Sequence, residues 1–120
     1  MWLMTSNSFL SVVAKDCPAD CLLVRARVKG HIENLFPAAK VFTEDGSDYQ
    51  FRAIVKRSDV GAALTGLADG IGYSNFKSSV RNHALHDAYA RIWHVMAALQ
   101  PLKPYAIYSK ARRVVQKGLL

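Results

Sequence analysis

Residues 49–56 read YQFRAIVK, and the alternation in that stretch decides the fold. Tyr49, Phe51, Ala53 and Val55 point to one side of an extended chain; Gln50, Arg52, Ile54 and Lys56 point to the other. A strand of this kind needs a neighbour to pair with and an apolar layer to lie on. Residues 22–28, LLVRARV, supply the neighbour. There Val24, Ala26 and Val28 share one side, and Leu23, Arg25 and Arg27 the other.

Working outward, residues 9–15 (FLSVVAK) predict a strand joined to 22–28 by the turn residues 16–20 (DCPAD), which makes a hairpin. Residues 30–36 predict a short helix stopped near Pro37. Residues 40–44 (KVFTE) form a short strand that turns at Asp45-Gly46 into 49–56. Ser58 then reads as the cap of a helix carrying Val60, Leu64, Leu67 and Ile71 at helical spacing, ended by Gly70. The last helix runs from about Ser78 or Ala84 to Leu99, with Pro101 just beyond. Steps of about 100° per residue put Leu85, Ala88, Tyr89, Ile92, Trp93, Val95, Met96 and Leu99 on one arc. That arc is expected to lie against the helical side of the sheet, its Arg-bearing side or a second subunit.

The element order β-β-α-β-β-α-α predicts an α+β fold with an antiparallel four-stranded sheet. Its first six elements are a circular permutation of the ferredoxin-like order. The second and fourth strands should then lie at the sheet centre, flanked by the first and the third. Residues 1–100 are expected to form one domain, and residues 101–120 a basic tail or short helix.

The net charge of +7 is unevenly spread. Residues 1–100 are nearly neutral, whereas Lys103, Lys110, Arg112, Arg113 and Lys117 stand in a tail without acids. A hydrophobic content of 51% with 21% charged residues excludes a disordered chain. No apolar run approaches the roughly 18–20 residues of a membrane span, and the opening MWLMTSNSF has neither the basic start nor the apolar run of a leader. A cytoplasmic protein without membrane contact is the expectation.

Chemistry-bearing residues are few. Arg25, Arg27, Arg52 and Lys56, with Gln50, should gather on one sheet face, where they would suit phosphate contact. A nucleic-acid platform also needs stacking aromatics, and the matching positions hold Leu23 and Ile54. The alternative is a solvated or partner-bound face. Tyr73, Ser74, Asn75, Lys77 and Arg81 lie where the chain enters the last helix, either as an anion or small-ligand site or as a capping segment. His83 and Asp87 are one turn apart, but His94 lies roughly 16 Å further along the axis, so a solvated face with an Asp87–Arg91 pair is favoured over a metal site. Cys17 and Cys21 read as two independent free thiols. No metal, no cofactor and no catalytic set is expected.

The opening MW-L-M-T with FLSVV, LLVRARV, DYQFRA and the block GYSNFKSSV…HDAYARIWHVMAALQ together resemble a family of small uncharacterised bacterial proteins, over roughly residues 1–100. The resemblance implies a compact single domain and no particular activity. The function expected from the residues is a non-catalytic protein-binding module, self-associating as a homodimer or bound to another protein. Its alternatives are nucleic-acid binding through the basic tail and the Arg-bearing face, and inhibition of a nucleic-acid-processing complex, as phage and mobile-element proteins do.

Overall fold

The computed structural model describes residues 1–102 and 104. In chain order they form β1 (Trp2–Met4), β2 (Phe9–Val13), β3 (Cys21–Ala26), α1 (His31–Leu35), β4 (Phe42–Thr43), β5 (Phe51–Lys56), α2 (Arg57–Asp69), a 3-10 turn (Lys77–Ser79) and α3 (His83–Ala97). The chain divides into two compact units, Met1–His86 and Asp87–Leu120, with the division inside α3. The sheet, α1 and α2 belong to the first.

The fold is α+β, with one antiparallel sheet in the order β1-β2-β3-β5-β4. The four expected strands stand in the expected order, but the count of four is corrected to five. β1 is the addition, pairing Trp2 with Ser11 and Met4 with Phe9. Three residues without apolar–polar alternation carry no strand pattern, so β1 is set by its partner rather than by its own sequence. This added edge strand and the five-residue α1 leave the ferredoxin-like arrangement unconfirmed.

Register puts the apolar residues on one face. Leu10 lies opposite Ala26 and Ala26 opposite Phe51; Val12 lies opposite Val24 and Val24 opposite Ala53. Ile32 and Phe36, from α1 and its end, and Val60 of α2 pack on this face with Leu35, Ala63 and Leu64 around them. Leu10, Val24, Ala26, Ile32 and Ala53 are wholly excluded from solvent. Burial of each large side chain contributes about 1.5–3 kcal/mol.

α2 begins directly after β5. Lys56 stands at its cap position and makes no side-chain capping bond, so the expected cap Ser58 lies inside the helix. The helix ends at Gly70, whose N–H reaches the Gly66 carbonyl at 3.0 Å. α3 begins at His83, because Asn82 Oδ1 accepts the Leu85 N–H at 3.0 Å and satisfies one of the first-turn donors.

Candidate functional site

A cavity of about 780 Å³ opens in the first unit, beside the β1–β2 turn. Four segments far apart in sequence build it. Thr5 starts the turn: its hydroxyl accepts the Ser8 N–H at 3.0 Å, and its own N–H donates to the Ser8 carbonyl at 2.9 Å. Ser8 Oγ donates to the His31 carbonyl at 2.9 Å, and Asn34 Nδ2 donates to Ser8 Oγ at 3.0 Å and to the Asn7 carbonyl at 3.1 Å. These bonds tie the turn to α1. On the far side Ser6 and Ser79 share a 2.6 Å hydroxyl–hydroxyl bond, which ties it to the 3-10 turn.

His31 is buried in this corner and lines the cavity. The Phe9 N–H donates to its Nδ1 at 3.1 Å, which needs that nitrogen's lone pair and leaves the ring proton on Nε2. Burial pushes the His31 pKa below its ordinary value. The ring is therefore a neutral donor. Leu64, Leu67 and Ile71 from the α2 side and Tyr73 give the cavity apolar walls, while Lys29, Arg81 and Asn82 add polar groups.

Of the five residues expected to form a ligand site, Tyr73 and Arg81 line this cavity, and Ser74, Asn75 and Lys77 do not. Asn75 Oδ1 accepts the Ser78 N–H at 3.4 Å, and the Tyr73 and Phe76 rings pack at 5.7 Å. The segment thus caps a 3-10 turn rather than opening α3. His31 and Lys29, which sequence reasoning passed over, replace Lys77 in the lining.

The second sheet face carries the expected basic residues. Register aligns Trp2, Ser11, Arg25, Arg52 and Phe42 across the five strands, and pairs Cys21 with Lys56. Tyr49 departs from expectation. Glu44 N–H donates to the Gln50 carbonyl at 2.8 Å and Ser47 Oγ to the Tyr49 carbonyl at 2.7 Å, so residues 47–50 belong to the turn and alternation starts at Phe51. The Tyr49 ring stands outside the core cluster and packs against two guanidinium groups, Arg25 at 4.5 Å and Arg27 at 4.1 Å.

Arg25 also donates to Ser11 Oγ at 2.8 Å, and its buried Nε meets no acceptor among the described residues. Arg27 Nε donates to the Asp48 carbonyl. Arg52 is buried, bonds the Tyr49 carbonyl at 3.1 Å, and pairs with Glu44 at 3.1 Å and Asp48 at 3.6 Å. The middle of this face, Ser11, Leu23 and Arg52, is buried, whereas Trp2, Ile54 and Phe42 are exposed. Arg25, Arg27 and Arg52 are thus largely committed to internal contacts. Exposed aromatics are present after all, at the two outer strands.

α3 offers a different surface. Its apolar arc was expected to lie against one side of the sheet or a second subunit. Tyr89 is buried and Leu85 and Trp93 partly so, but Ile92, Val95, Met96 and Leu99 are exposed, Val95 at 70% and Leu99 at 74%. Ile92, Val95 and Met96, at i, i+3 and i+4, share one stripe of α3, and Leu99 lies in the turn just beyond it. His83 and Asp87 are exposed on the same helix, and no group of three metal-ligating side chains gathers among the described residues.

Cys17 and Cys21 are free. Desolvation and the neighbouring Asp20 carboxylate raise the Cys21 pKa and keep that thiol protonated. Among the described residues no helix is long and apolar enough to cross a membrane. Lys110, Arg112, Arg113 and Lys117, expected to attract nucleic acid, lie outside the described residues. No protein-family model, no curated protein and no solved structure matches the chain.

Proposed function

We propose that the chain is a non-catalytic protein-binding module that docks through the apolar stripe of α3, with a second copy of itself as first partner. The exposure of Ile92, Val95 and Met96 on one stripe of α3, with Leu99 exposed in the turn just beyond it, carries this reading. Two such stripes can interdigitate at a shallow crossing angle, and each side chain fully buried contributes about 1.5–3 kcal/mol. The strands β2-β3-β5-β4 are read as a permuted ferredoxin-like unit with β1 added. The two free thiols suit a reducing compartment, in keeping with a cytoplasmic protein.

Sedimentation velocity on the full chain tests the proposal. The average mass should rise with concentration, and Val95→Asp combined with Met96→Asp should hold it at the monomer with unchanged circular dichroism. Each copy carries +7, so added salt screens mutual repulsion and should strengthen self-association. A strict monomer at high concentration and high salt removes the self-association.

A second reading is nucleic-acid binding through the Arg-bearing face and the basic tail. Trp2 and Phe42 favour it, as exposed aromatics aligned with Arg25 and Arg52. It has the opposite salt dependence, because counterions released from phosphate oppose binding as salt rises. Affinity should also fall when residues 103–120 are deleted. A flat salt response would sink this second reading.

A further inference from the structure

We propose that the cavity beside the β1–β2 turn is a binding site for a small amphipathic anion, with an apolar body and one anionic head. The proposal is independent of the α3 reading. At about 780 Å³ the cavity falls within the range of ordinary small-molecule sites. Its apolar lining comes from Leu64, Leu67 and Ile71 on the α2 side, Leu3 of β1 and Val28 after β3.

Its charge has one sign. Lys29 and Arg81 line it, and no aspartate or glutamate does. Neither Lys29 nor Arg81 meets a carboxylate among the described residues. His31 adds a built polar group: it is 9% exposed, its Nδ1 is held by the Phe9 N–H, and its Nε2–H meets no acceptor among the described residues. Two cations and a neutral donor around apolar walls match an anionic head on an apolar body, and they disfavour a cation or a fully apolar guest.

The cavity also has a wall that can be filled without disturbing its neighbours. Gly66 of α2 lines it, and a Cβ built there meets nothing within 4 Å. A larger side chain at this position should take up ligand space while the helix remains intact, since leucine has a better helical propensity than glycine.

Titration calorimetry of the full chain with decanoate, decanol and inorganic phosphate, joined to amide shift mapping, tests the proposal. Decanoate should bind tightest and shift the amides of His31, Leu67 and Ile71. Lys29→Gln with Arg81→Gln should weaken decanoate by about tenfold or more while leaving decanol unchanged. Gly66→Leu should abolish binding with circular dichroism retained. Shifts confined to residues 92–99, decanol binding as tightly as decanoate, phosphate binding as tightly as decanoate, or an unaffected double variant would each overturn the proposal.

Discussion

His31 holds together three things that the chain keeps apart in sequence. Its carbonyl accepts from Ser8, its Nδ1 accepts from Phe9, and its ring lines the cavity. Its burial has a pH consequence of definite sign. The folded-state pKa lies below the ordinary value of 6.5, so the unfolded chain binds more protons in the window between the two. Stability from this residue is therefore complete above 6.5 and is lost as pH falls below it. The urea midpoint should drop between about pH 7.5 and about pH 5, and His31→Gln should flatten that drop, because a glutamine oxygen can accept the Phe9 N–H without titrating. An equal pH slope in the variant would refute this. Arg52 illustrates a different economy: one buried guanidinium reaches Tyr49, Glu44 and Asp48, all in the β4–β5 connection. Its Nε meets the Tyr49 carbonyl and Glu44 while Nη2 meets Asp48, a spread over two nitrogens that the single nitrogen of lysine would not match.

Among the elements, α2 shows where sequence and structure agree and where the helix keeps slack. Val60 and Leu64 face the core as their spacing requires, but Gly61 sits on an exposed turn where an added Cβ meets nothing within 4 Å. Gly61→Ala should therefore stabilise the protein by up to about 1 kcal/mol, read as a higher denaturation midpoint. No gain would mean that the position carries a constraint other than helix propensity. β5 was legible because six of its residues alternate cleanly and both faces meet something different. β1 was not, since three residues hold too little pattern to declare a strand. The α3 arc was legible as an arc, but the surface it covers was not. Periodicity reports which side chains share a helix face; it cannot report whether anything lies against them. Ile92, Val95, Met96 and Leu99 are exposed.

At the scale of the whole molecule, the α+β class and the order of four strands were readable because local alternation and turn chemistry agree with the pairing that forms. The cavity was not readable. Its lining comes from the β1–β2 turn, residues 28–34, the end of α2 and residues 71–82, and no spacing rule links such distant segments. The sheet order has one more consequence, in the time the chain takes to fold. β1–β2, β2–β3 and β4–β5 each join strands that follow one another along the chain. β3–β5 alone brings together residues about 25 to 35 positions apart, from Ala26 with Phe51 to Cys21 with Lys56. That closure must be completed before the sheet is continuous, so it should dominate the folding barrier. In a chevron analysis Val24→Ala, at the centre of the seam, should slow refolding, while Leu3→Ala at the outer strand should mainly accelerate unfolding. The reverse assignment would place the rate-limiting event in a local hairpin instead.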